Sequence, residues 1–254
     1  MKITRAVVPS LFTVLNMFCG FMSIIHASKG DFISAGWLIM LAAGFDAVDG
    51  IMARITKSSS EFGVEIDSLS DVISFGAAPA FLVYQAELFR MGSAGILISS
   101  LLMVFAGLRL ARFNTQLVGF DKDHFVGLPA PVSALTAASF ILNFWKDVNG
   151  LGTAAPLLAP LVILLSLLMV SKVRYDTLPK FSRKAIQREP WKYLFLVLAV
   201  IVVFSSAGGA ILPLLLLFVV LGLVRSGASL IRKIAHRGPE PEEEDEVAPG
   251  QIDL

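Results

Sequence analysis

The stretch Phe45–Gly76, FDAVDGIMARITKSSSEFGVEIDSLSDVISFG, sets Asp46, Asp49, Asp67 and Asp71 inside two otherwise apolar segments. An isolated charge at the centre of a bilayer costs at least about 2.5 kcal/mol, so carboxylates placed there face a cavity, a partner or an ion. Asp46 and Asp49 are three apart, and Asp67 and Asp71 four apart. At 3.6 residues per turn each pair shares one face of its helix. Two antiparallel helices patterned in this way bring all four carboxylates to one point.

The surroundings of that stretch are those of a membrane protein. Hydrophobic residues make up 56% of the 254 and charged residues 16%, against roughly 25% charged in a soluble domain. The mean hydropathy is +0.75. Apolar runs close to the roughly 20 residues that cross a bilayer as a helix recur at Pro9–Ala27, Phe32–Ile55, Val64–Tyr84, Gly95–Phe113, Pro131–Trp145, Pro156–Val173, Trp191–Ser206 and Gly209–Val224. The expected fold is all-α, a polytopic membrane helix bundle of about eight transmembrane helices.

Charge placement orients the bundle. With eight spans, all but three of the 21 Lys and Arg fall on the side of the two termini, and only Lys29, Arg90 and Lys146 fall on the other. Loops rich in Lys and Arg stay cytoplasmic, so both termini and the carboxylate site are expected at the cytoplasmic face of the inner membrane. The basic start and the small residues at Ala27 and Ser28 imitate a signal peptide, but the apolar stretch is long and further spans come after it. Cys19, the single cysteine, excludes a disulfide framework and a thiolate metal site.

The spans divide the chain into four expected parts. Residues 1–173 form a core of six helices, and 174–190 a basic cytoplasmic loop suited to an anionic leaflet. Residues 191–230 add two more helices. Residues 231–254 are an acidic, proline-containing tail of disordered composition.

Carboxylates so close together repel one another unless cations neutralise them. An all-oxygen ligand set favours hard ions such as Mg²⁺ or Mn²⁺, and the three histidines, His26, His124 and His236, lack ligand spacing. Gly50, Ala53 and Gly63 flank the carboxylates and leave room for a substrate. Arg54 and the hydroxyls of Ser58, Ser59 and Ser60 add groups suited to phosphate. On this chemistry alone a cation or proton pathway through a transporter stays open, with the small residues serving close helix packing.

The spacing narrows the choice. From Asp46 the chain reads D-x2-D-G-x2-A-R-x8-G-x3-D-x3-D, filled by Asp46, Asp49, Gly50, Ala53, Arg54, Gly63, Asp67 and Asp71. This resembles the complete motif of the CDP-alcohol phosphotransferases, membrane enzymes that move a phosphatidyl-type group from a CDP-linked lipid to an alcohol. The resemblance implies two divalent cations, Mg²⁺ or Mn²⁺, held by Asp46, Asp49, Asp67 and Asp71, with Asp71 also the catalytic base. It implies CDP-lipid contacts from Gly50, Arg54, Ser60 and Gly63, and from Ser10 and Thr13 on a nucleotide-facing first helix. It also implies a homodimer among membrane lipids, and nucleic acid is not an expected partner.

The motif leaves the alcohol open among serine, glycerol phosphate, inositol phosphate and choline. VPSLFTVLNMFCGF near the start, RLARFN at Arg109–Asn114 and FVGLPAP at Phe125–Pro131 resemble the phosphatidylserine synthase branch. That implies CDP-diacylglycerol and L-serine as substrates. Arg109, Arg112 and Asn114 then become an acceptor pocket, because an Arg fork matches a carboxylate; anchoring by positive charge is the other reading. The GLPAP stretch reads equally well as a cap over the acceptor site and as a rigid loop before the next helix. Phosphatidylglycerophosphate synthase is the alternative within the family.

Overall fold

The computed structural model describes residues 7–56, 61–116, 125–146, 150–175, 206 and 208–235. Among them the chain is helical apart from one two-stranded ladder and an isolated bridge between Lys146 and Gly150. In chain order the elements are α1 (Val7–Ser28), α2 (Phe32–Thr56), α3 (Glu61–Asp71), α4 (Ala78–Ala86), α5 (Ser93–Gln116), β1 (Phe125–Val126), α6 (Ala130–Phe144), α7 (Ala155–Val170), β2 (Arg174–Tyr175) and α8 (Ile211–Ala235). A π-helical turn, Val72–Ala77, joins α3 to α4, so the two form one continuous rod.

Among the described residues six helical stretches are long and apolar enough to cross a membrane: Leu11–Ser28, Phe32–Ala53, Phe62–Ala86, Ser93–Asn114, Gly152–Val170 and Ile211–Ala228. Two of the eight expected spans are therefore not among them. Pro131–Trp145 does become a helix, α6, but one of only 15 residues, about 22 Å long at 1.5 Å per residue. Its small residues, including Ala130, Ser133, Ala134, Ala137 and Ala138, are buried. It is a short apolar helix packed largely against the rest of the bundle. Trp191–Ser206 falls almost wholly outside the described residues, as do the basic loop and most of the acidic tail, of which 231–235 continue α8 and are not part of a disordered segment.

The first turn of the bundle is built by Asp31. Its Oδ1 accepts the Ser34 backbone N–H at 3.1 Å, capping α2, and its Oδ2 lies 2.9 Å from His26 Nδ1. The Ser34 hydrogen bonds, helped by His26, hold this carboxyl below its ordinary pKa. Further along the hairpin Ser23 Oγ donates to the Ala35 carbonyl at 2.9 Å, and α1 packs chiefly on α2. In this lipid-facing fold, hydrogen bonds and close packing of small residues must hold neighbouring helices together.

α1 also lies against the rod α3–α4. Ser70 Oγ donates to the Thr13 carbonyl at 3.1 Å and Ser74 Oγ to the Asn16 carbonyl at 2.8 Å. Close approach is possible because residue 20 is glycine: a Cβ there would lie 2.7 Å from Ser74 Cα and would also collide with its Oγ. Since backbone is the obstacle, Gly20→Ala is expected to cost about 1–3 kcal/mol, the usual range for overpacking. The check is the thermal midpoint of detergent-solubilised protein, and an unchanged midpoint would contradict this account of the packing.

Beyond α5 the chain returns through β1, which pairs antiparallel with β2 in the register Phe125–Tyr175 and Val126–Arg174. Gly127 and Leu128 continue the seam with backbone hydrogen bonds to Val173 at 2.8 Å and Leu168 at 2.9 Å. Gly127 has φ +89°, and a Cβ on it would collide with the Met169 carbonyl. The GLPAP stretch is thus pinned by its backbone to the end of α7, as a rigid connection into α6. Tyr175 stacks on Phe218 of α8 at 5.6 Å between ring centroids, fastening the last helix to the core.

Candidate active site

Asp46 and Asp49 lie in the C-terminal half of α2, and Asp67 and Asp71 in the last turns of α3; the carboxylates meet between these two stretches. Oxygen atoms of Asp46, Asp67 and Asp71 all lie within 4.8 Å of one another. Asp49 is within electrostatic reach of Asp46 and Asp67, but it is only 7% exposed and its carboxylate accepts a hydrogen bond from Thr13 Oγ1 of α1. The expected convergence of four therefore resolves into a group of three and a neighbour held by the first helix.

Asp71 occupies the junction of two helix types. It is the last residue of α3, and the π-helical turn begins at Val72. Such turns are rare and occur frequently at functional sites. Asp71 Oδ1 is buried and has no hydrogen-bond partner among the described residues. An ionised oxygen left so would be costly, and the defect disappears if a cation sits against it. The ligand atoms on offer are all carboxylate oxygens, which suits a hard divalent ion. Asp46, Asp67 and Asp71, with Asp49 adjoining, are therefore fit to hold divalent metal.

Two further groups close the site around Asp71. Arg109 of α5 is half-buried and its charge acts on Asp71, while its Nε is buried without a hydrogen-bond partner among the described residues. Its guanidinium thus retains a donor directed into the protein interior. On α1 the side chain of Asn16 is fully buried. It faces Asp71 closely enough to interact, although neither amide atom reaches a hydrogen bond of ordinary geometry.

The other candidates surround this centre at varying distance. Asn114 Nδ2 donates to Ser68 Oγ of α3 at 2.9 Å, so this residue ties α5 to the carboxylate helix. Arg112, on the same helix, is exposed. Gly50 is exposed, and a Cβ there would meet nothing within 4 Å, which leaves open space one residue from Asp49. Gly63 lies in the first turn of α3, Ser10 in the first turn of α1, and Arg54 in the last turn of α2. Ser60 lies outside the described residues.

Asn16 and the serines 70 and 74 were not legible as site residues. The available signal was Thr13 and Asn16, two polar residues three apart in an apolar span. That spacing puts them on one face, the face that meets α3 and the end of α2.

The chain is similar in sequence to known proteins. The CDP-alcohol phosphatidyltransferase family model matches residues 6–174. A CDP-diacylglycerol–serine O-phosphatidyltransferase of Helicobacter pylori (strain ATCC 700392 / 26695) is 34% identical over 220 residues, covering 85% of this chain and 90% of that protein. The archaetidylserine synthase of Methanothermobacter thermautotrophicus is 41% identical over 179 residues, 68% of this chain and 72% of its own. A CDP-diacylglycerol–serine O-phosphatidyltransferase of Mycobacterium leprae is 32% identical over 222 residues, 85% and 71%.

Proposed function

The chain belongs to the CDP-alcohol phosphatidyltransferase family, and from that premise we propose that it transfers the phosphatidyl group of CDP-diacylglycerol to L-serine, giving phosphatidylserine and CMP. The observation that carries the reading is the meeting of Asp46, Asp67 and Asp71 oxygens between α2 and the C-terminal end of α3. The choice of serine is supported by the names of relatives that align over most of this chain.

Asp71 removes the proton from the serine hydroxyl. The hydroxyl oxygen then forms a bond to the lipid-linked phosphorus as the bond from that phosphorus to CMP breaks. Two Mg²⁺ or Mn²⁺, when bound, would supply positive charge to the attacking and leaving oxygens. Asp46, Asp49, Asp67 and Asp71 would hold them, with Thr13 orienting Asp49.

Gly50 leaves the space through which the CDP moiety approaches Asp49. Arg54, Ser60 and Gly63 are assigned to the CDP moiety from their places in the motif, and Ser10 and Thr13 from theirs at the start of α1. Arg109 receives the serine carboxylate, its Nε having no hydrogen-bond partner among the described residues. Arg112 adds positive charge nearby, and Asn114 fixes the α5 segment to α3.

The acyl chains of the donor stay among membrane lipids while its head group reaches the carboxylates from the side. The skew of Lys and Arg supports an inner-membrane protein with both termini and the site on the cytoplasmic face, which gives serine access from the cytosol. The family match over 6–174 supports a catalytic core of residues 1–173. A basic loop at 174–190, two added helices from 191 onward, the second running to Ala235, and the tail beyond it complete the chain, and two copies associate as a homodimer.

Purified protein with Mg²⁺ or Mn²⁺ is expected to release CMP from CDP-diacylglycerol with serine and not with glycerol phosphate. Release with glycerol phosphate alone would transfer the assignment to phosphatidylglycerophosphate synthase. Ion flux in liposomes with no CMP release under any acceptor would point instead to a transporter.

A further inference from the structure

We infer that Asn16 is an acceptor-contacting residue, whose side-chain carbonyl receives the ammonium group of serine while its NH₂ group faces Asp71. The inference rests on the proposed serine specificity and adds the group that recognises the amine.

Asn16 is wholly buried, and neither Nδ2 nor Oδ1 has a hydrogen-bond partner among the described residues. Burial of an amide in that condition is unfavourable unless an incoming group satisfies it. The residue is also held in place: the Asn16 carbonyl accepts Ser74 Oγ at 2.8 Å, and one turn earlier the Thr13 carbonyl accepts Ser70 Oγ at 3.1 Å. These bonds fix the register of α1 against the helix that carries Asp71.

The chemistry of the neighbours decides what the amide meets. Arg109 can only donate, and ionised carboxylates can only accept. An amide does both, so it can donate toward Asp71 and still accept from a substrate. In serine the ammonium sits on the carbon next to the one bearing the hydroxyl. When that hydroxyl is at Asp71, the ammonium falls to a neighbour of Asp71, and Arg109 repels it. A neutral carbonyl accepts the N–H without adding a fifth carboxylate that would compete for cations.

The test uses the full-length protein in detergent, with CMP release from CDP-diacylglycerol in Mg²⁺ as the readout. Asn16→Leu, close in shape and unable to hydrogen-bond, is expected to raise the serine KM about 10- to 100-fold and to leave the CDP-diacylglycerol KM unchanged. 3-Hydroxypropionate, which is serine without the ammonium, should compete poorly against serine in the wild type and on nearly equal terms in Asn16→Leu. Asn16→Asp keeps an oxygen toward the ammonium and loses the N–H toward Asp71, so kcat should fall with the serine KM little changed.

An unchanged serine KM in Asn16→Leu, or a parallel rise in both KM values, overturns the inference. So does an unaltered preference for serine over 3-hydroxypropionate. If Asn16→Leu does not survive purification, a large rise in serine KM with unchanged kcat in Asn16→Asp overturns it instead. A wild-type protein inert toward serine is a separate failure, since it removes the serine specificity itself.

Discussion

Asp71→Asn is expected to slow CMP release from CDP-diacylglycerol and serine by about 10²- to 10⁴-fold, the usual contribution of a positioned general base. The amide keeps the size of the carboxylate and loses its capacity to take a proton. Asp46 and Asp67 remain, so the donor lipid should still bind, and binding of CDP-diacylglycerol measured apart from turnover separates the two effects. Position is the reason for singling out this residue. Asp71 is the carboxylate beside Arg109 and Asn16, and its Oδ1 is buried with no partner among the described residues. Normal turnover in Asp71→Asn would remove the base from Asp71 and leave it at most a ligand.

Chelation of divalent ions should reduce turnover to background, and Mg²⁺ or Mn²⁺ should restore it. Three carboxylates with oxygens within 4.8 Å of one another repel strongly, and the Arg109 charge offsets only part of that around Asp71. Graded variants should follow how directly each residue meets the proposed metal site. Asp46→Asn would remove one of the proposed ligands directly. Thr13→Val removes only the hydroxyl that holds Asp49, and loss of such an outer partner typically weakens metal affinity about 10- to 100-fold. The Mg²⁺ concentration for half-maximal activity is the measurement. Full activity in excess chelator would reject the metal site, and an unshifted Mg²⁺ requirement in Thr13→Val would reject its role in orienting Asp49.

Asp46, Asp49, Asp67 and Asp71 could be read from sequence because charge in an apolar helix is rare and expensive, and because intervals of three and four mark one helix face. The same reasoning stopped at pairs. It could not tell that Asp49 is engaged by Thr13 while the other three meet, because that depends on how α1 crosses the hairpin. Asn16 was hidden for a related reason: a single neutral amide in an apolar span is unremarkable until its neighbours are known. Hydropathy found the apolar helices of the described residues, but it could not show that α6 would be the short one, because Ala- and Ser-rich contact with protein resembles contact with lipid at the level of composition. The π-helical turn after Asp71 left no trace in the sequence, for VISFGA is as compatible with an ordinary α-helix.

That turn separates two halves of a single span. In an α-helix every residue added or removed rotates the rest of the helix by about 100°. A wider turn at Val72–Ala77 resets the phase between α3, whose face is dictated by the carboxylates, and α4, whose face is dictated by α1, α5 and α6. The rod is therefore two helices with independent azimuths joined by a phase shifter. Deleting one residue within Val72–Ala77 would re-aim the packing face of α4 without altering a single ligand.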